Sequence, residues 1–226
     1  MEAAPGRPRP NDTKSALLDA AERLFAERGL HGVSLREIGI AAGQRNQAAT
    51  QYHFGDKPGL VLAAFERRAV EVNRRRLELL TEAAAEGPLG VRDLVEAFVR
   101  PMAEQVERGN SYIRFVSRLQ TDGESALLRE AGADAHSAYE RIGRLLRAGE
   151  LAALPRKLFW NRWRLTINTA LAALADHQAA IARGDADELP TPLYVSELID
   201  ALTAMLLTPS TSVSGRQLSS RPARPR

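Results

Sequence analysis

The sequence predicts an all-α fold. Leucine and alanine recur at three- and four-residue spacing along almost the whole chain, and no stretch alternates β-branched and polar residues as a half-buried strand would. Gly, Pro, Asn and Asp, the residues that cap and stop helices, separate the patterned segments. A chain of 226 residues with 44% hydrophobic content can bury a substantial core. Cysteine is absent, which excludes disulfides, thiolate metal sites and cysteine nucleophiles and fits a reducing compartment, so the cytoplasm is expected. The start carries no apolar run behind a basic end, and the longest apolar-leaning run, residues 165–175, is too short for a bilayer, so no membrane partner is expected.

The elements follow in order. Residues 1–10 hold Pro5, Pro8, Pro10 and Gly6, and residues 209–226 hold Pro209, Pro222, Pro225 and a Ser/Thr cluster, so both ends read as disordered tails. Asn11 or Asp12 can cap a first helix over 13–28, where Leu17, Leu18, Ala21, Leu24 and Phe25 share a face and Gly29 stops the chain. Ser34 opens a second helix with Glu37 three residues on, a capping box, and Gly43 ends it. A third short helix runs from Asn46 to Phe54. Gly55, Asp56, Lys57 and Pro58 close it and start a fourth over 58–85, whose apolar positions flank a charged stretch from Arg67 to Arg76. Five more helices fit 91–107, 111–119, 124–151, 155–183 and 192–207.

A short capped helix, a glycine-containing turn and a second short helix make a helix-turn-helix, whose second member can lie in a DNA major groove. A net charge of +3, with Arg7, Arg9, Arg216, Arg221, Arg224 and Arg226 in the tails, leaves the folded part close to neutral, so DNA binding rests on this motif and not on bulk charge. Along the third helix Gln47, Ala48, Thr50, Gln51, Tyr52 and His53 offer amides and hydroxyls for base edges or phosphates, with small side chains that allow close approach. Ile38, Ala41, Ala42, Leu24, Phe25 and Phe54 are the expected core behind it. Tyr52 suits a core position and a phosphate contact alike, and His53 suits a buttress for Phe54 as well as a DNA contact. Lys57 gains nothing from a helix N-terminus, which a phosphate partner would explain, a solvated lysine being the competing reading.

The ordered set Leu17-Leu18-Asp19-Ala20-Ala21, Leu24-Phe25-Ala26-Glu27-Arg28-Gly29, Ser34-Leu35-Arg36-Glu37-Ile38, Ala42-Gly43, Tyr52-His53-Phe54-Gly55-Asp56-Lys57 and Leu60 resembles the TetR repressor family. The resemblance covers about the first third of the chain. It implies a three-helix DNA-binding head at 11–57 and a larger helical ligand-binding and dimerisation domain at 58–208. It also implies a homodimer formed through the last two helices, with operator DNA and an unidentified small molecule as partners. Repression with ligand-triggered release is the implied function. Position by position, Thr50, Gln51, Tyr52 and His53 fall on the recognition helix, Lys57 on the phosphate-contacting lysine, and Ser34 and Arg36 on the backbone-facing side of the second helix. Two departures stand out: the segment from Gly43 to Phe54 is about one residue longer than in the family, and Gln51 takes the place of a phosphate-binding tyrosine. Arg45 and Asn46, in the lengthened turn, can take contacts made elsewhere in other members.

In the remainder, Tyr112, Phe115, Trp160, Trp163 and Asn168 are the candidate ligand pocket; plain core packing is the competing reading for each aromatic. Arg118, Gln120 and His136 could orient a ligand or face solvent. Ala172, Ala175 and Ala179, with Leu193 and Ala201, offer small residues for close helix contact across a twofold axis. No cofactor, metal or catalytic residue is expected: four scattered histidines make no HExxH or ExxH pair, and no phosphate loop is present. The competing functions are a helical adaptor without DNA specificity and a regulator without a ligand.

Overall fold

A computed structural model describes residues 10–44, 48–185 and 187–210. Residues 1–9 and 211–226 of the predicted tails (1–10 and 209–226), and the site candidates Arg45, Asn46 and Gln47, lie outside the described residues. The described residues hold ten helices and no strand: α1 (Pro10–Arg28), α2 (Leu35–Ala41), α3 (Ala48–Phe54), α4 (Lys57–Glu86), α5 (Val91–Glu107), α6 (Tyr112–Thr121), α7 (Ser125–Leu128), α8 (Ala133–Ala148), α9 (Arg156–Arg183) and α10 (Thr191–Leu207). The all-α expectation holds. The first helix begins at Pro10, inside the expected tail, because proline is well suited to a first helical turn, where an N–H has no partner to lose.

The expected single helix over 124–151 is two. Gly132 adopts an extended conformation at the N-cap of α8, and its N–H donates to Glu66 Oε1 at 2.9 Å, so a carboxylate on α4 ties down the break. Helical spacing continues on both sides of Gly132, which is why periodicity alone runs through it.

Helices α1 and α3 pack on α4, with α2 held against α1 and α3, and α4 runs on to pack against α5 and α8. The pair α9 and α10 lies against α5 and α6, and α6 reaches back to α1. One continuous apolar core extends from Leu17 to Leu206. In α1, α2 and the loop between them it contains Leu17, Ala21, Phe25, Leu30, Val33 and Ile38, with Phe54 of α3 packed half-buried against it. Ala41 is exposed, contrary to expectation. Gly39 takes the inward position on α2 instead, because a Cβ there would meet Thr50 Oγ1 at 3.3 Å and α3 needs the space.

Helix α1 is fastened to α6 at three levels. Phe25 stacks on Phe115 with ring centroids 6.0 Å apart. Glu22, 2% exposed, accepts from the Ser111 N–H at 2.9 Å and pairs with Arg67 and Arg68 of α4 at 3.3 and 3.2 Å. Gly29, in a left-handed conformation at φ 72°, closes α1 so tightly against α6 that a Cβ would lie 2.7 Å from Asp122 Oδ2. Only glycine satisfies both the dihedral and the gap.

Candidate nucleic-acid interface and internal cavity

The sequence builds the α2–turn–α3 unit from its caps. Ser34 accepts from the Glu37 N–H at 3.2 Å, and Glu37 Oε2 accepts from the Ser34 N–H at 2.8 Å, the reciprocal box the sequence predicts. The Ser34 hydroxyl, which donates to Glu37 Oε2 at 2.7 Å, then the Ser34 N–H and the Arg28 guanidinium 2.8 Å away hold the Glu37 carboxyl at about 2, well below its ordinary 4.5. Gly43 turns the chain with φ 70°, and Asp56 caps α4 by accepting from the Gly59 N–H at 2.8 Å.

The faces of α3 divide sharply. Gln51 is exposed and Tyr52 is 86% exposed, its ring held edge-on by His53 at 5.3 Å. His53 is half-buried and also packs on Phe54, so it buttresses the helix. Tyr52 is therefore no part of the core. Thr50, expected among the DNA-facing side chains, points the other way: it is 1% exposed, wedged against Gly39, and its hydroxyl has no hydrogen-bond partner among the described residues. Ala48 lies at the first position of α3. Arg36 is exposed on α2 beside Ile40, which is 61% exposed and which the sequence reading passed over.

Two expected contact residues already have protein partners. The Ser34 hydroxyl is engaged in the cap. Lys57 Nζ donates to the Leu30 carbonyl at 3.0 Å, pinning the loop after α1 to the first residue of α4. An ammonium has three donors, so two remain for a phosphate.

Away from α3, a cavity of about 390 Å³ lies among α4 to α9. Phe65, Phe98, Met102, Val116, Ile167 and Leu171 supply much of its apolar wall. Of the five expected pocket residues, Tyr112 and Asn168 line it. Phe115 is fully buried in the α1–α6 seam, Trp163 lies behind the wall against Phe98 and Tyr139 at 5.0 and 6.1 Å, and Trp160 is 41% exposed on the outside of α9. Gln120 and His136 line the cavity, whereas Arg118 is spent on Asp122 at 3.1 Å beneath Gly29. The residue that sequence reading missed is Arg76, which sits in the cavity wall 7% exposed. Burial pulls its guanidinium down to about 10, so it stays charged at neutral pH.

Residues 17–64, which run from α1 through α2 and α3 into α4, match the family described as bacterial regulatory proteins, tetR family. Over 170 residues the chain is 29% identical to the HTH-type transcriptional regulator AcrR of Shigella flexneri, spanning 74% of this chain and 78% of that one. The segment from α1 into α4 is thus that of a tetR-family regulator. The HTH-type transcriptional repressor AcnR of Corynebacterium glutamicum is 33% identical over 100 residues, 44% of this chain and 45% of that one. The fold agrees along most of the length: a TetR family transcription regulator from Marinobacter aquaeolei VT8 superposes with a TM-score of 0.58 at 18% identity, covering 84% of this chain and 95% of the other. Together these similarities identify a DNA-binding transcriptional regulator. Among the described residues no helix is long and apolar enough to cross a membrane.

Proposed function

We propose that the protein is a homodimeric repressor that grips operator DNA with paired α3 helices and lets go when a small molecule fills the cavity. The observation that carries this reading is that one helix serves both places. Helix α4 begins at Lys57, beside the α2–α3 unit, and contributes Phe65, Ala69 and Arg76 to the cavity wall. A ligand with different affinity for two positions of α4 shifts the population between them, and the same shift changes the spacing of the two recognition helices. The division into a head at 11–57 and a body at 58–208 is then one of task, with α4 common to both.

Exposure supports assigning Arg36, Gln51 and Tyr52 to the DNA, the two donors that Lys57 keeps support a phosphate contact, and Arg45, Asn46, Gln47 and Ala48 are assigned with them by their place in the sequence, with His53 in support. Thr50 is not assigned. The dimer is assigned to the outer faces of α9 and α10, where Leu165, Leu193 and Ala201 are exposed beside the small Ala172. Two heads supply the affinity and specificity that one seven-residue helix lacks. No catalytic role is assigned, and the place of action is the cytoplasm, where bacterial DNA is found. The test is a footprint of the purified protein on the DNA flanking its own gene. A protected, twofold-symmetric site is expected; retardation that is equal on unrelated sequences would overturn the reading in favour of an adaptor.

A further inference from the structure

Resting on the cavity as the effector site, we propose that the effector is an organic acid with an apolar or aromatic body, its carboxylate paired with Arg76. Five arginines lie on α4 between Glu66 and Leu77. Arg67 and Arg68 pair with Asp19 and Glu22, Arg74 with Glu78, and Arg75 with Glu78, Glu82 and Glu104. Arg76 alone has no carboxylate partner among the described residues, and it is the deepest of the five. Its Nε and Nη2 both donate to one acceptor, the Phe98 carbonyl, at 3.3 Å, and its plane lies 4.6 Å over the Phe98 ring. Nη1 donates to nothing among the described residues. A buried cation with one shared neutral acceptor is destabilised by the water it has lost, and an anion brought to its open edge removes that deficit.

The rest of the cavity selects the same sign. Its lining contains Arg76, Arg129, Arg164 and His136, and no aspartate or glutamate. Arg129 and Arg164 are exposed and so stand at the outer end, while Arg76 stands at the inner one. The Tyr112 hydroxyl, 5% exposed and close enough to feel the Arg76 charge, makes no hydrogen bond to the described residues and is a donor for a second carboxylate oxygen. Between the charged ends the wall is Phe65, Phe98, Met102, Val116 and Ile167, which accepts hydrocarbon. A cation meets repulsion in this cavity, and a neutral ligand leaves Arg76 as it found it. A phosphate dianion asks for more donors than the inner end provides.

The test is calorimetric titration of the full chain with matched pairs of acid and primary amide: phenylacetate, 1-naphthoate, octanoate and laurate, each against its own amide. At least one acid is expected to bind about tenfold or more tighter than its amide, the worth of one charge-assisted pair. Arg76→Met is expected to erase that preference, with acid and amide binding alike, and to keep a thermal midpoint no lower than the parent's, since it removes an uncompensated charge. Arg76→Lys retains part of the preference. Equal binding of acids and amides to the parent chain, or an acid preference that survives Arg76→Met, overturns the anion proposal and leaves the cavity reading standing. If no acid and no amide binds, the cavity reading itself fails and the proposal with it.

Discussion

At the scale of single residues, position on a short helix decides function within one step of the chain. Thr50 and Gln51 are neighbours, yet one is sealed against Gly39 and the other is open to solvent. Thr50→Val is therefore expected to leave operator affinity unchanged in a gel-shift titration, whereas Gln51→Ala changes base preference when the half-site is permuted. Lys57→Ala should weaken binding on every sequence alike and flatten its salt dependence by about one unit per protomer, the signature of a lost phosphate contact. Glu37 adds a pH dependence whose sign is fixed. Its folded-state pKa of about 2 lies below the ordinary 4.5, so its contribution is fully present above about pH 4.5 and is lost as the pH falls toward 2. Urea melts of Glu37→Gln should accordingly show a shallower loss of stability across that acid window than the parent chain. The caps at Ser34 and Asp56 were readable in the sequence because a cap is a local matter of residue types at fixed offsets. The inward turn of Thr50 was not, since a one-residue error of phase rotates a helical side chain by about 100°.

At the scale of elements, the seam between α1 and α6 is where the DNA-facing helices meet the rest of the molecule. Phe115→Ala should lower stability by about 3–5 kcal/mol in chemical denaturation, the usual cost of truncating a buried phenylalanine. Glu22→Ala removes the one carboxylate that Arg67, Arg68 and the Ser111 N–H share. A loss of about 2 kcal/mol is expected, below the fully buried case because both arginines keep some solvent. Periodicity and stop residues located most helices to within a few residues, and the reason it failed at Gly132 is that the break is held by Glu66, far away in the chain. The same limit misplaced the aromatics. Trp160 and Trp163 are three apart and both expected in the pocket, yet Gly143 on α8 admits both rings so closely that Trp163 goes under and Trp160 stays at the rim. Arg76 was legible in principle: Phe65, Ala69, Val72 and Leu80 set the buried phase of α4, and Arg76 falls on it, a charge where a leucine would otherwise be expected.

At the scale of the whole molecule, the proposed dimer predicts that a charge on the outer faces of α9 and α10 acts on assembly before it acts on folding. Leu193→Glu with Ala201→Glu should give a monomer in sedimentation velocity with an unchanged far-ultraviolet spectrum, and operator affinity should fall sharply because a single head is left. The pairing of helices in space, and with it the cavity, could not be read from the sequence, since it depends on which of several apolar faces meet. What α4 does at this scale is a matter of length. It is one unbroken rod of 30 residues, and Arg76 lies roughly 28 Å along it from Lys57 at the helical rise per residue. A tilt of about five degrees about the inner end moves the outer end by about 2.5 Å, and two protomers tilting oppositely change the distance between their reading helices by about 5 Å. Set against a half-site repeat of about 34 Å, that is enough to put both out of register with their grooves at once. A rod so long turns a small change of angle at the cavity into a large displacement at the DNA, so the occupant of the cavity can be as small as a single organic acid.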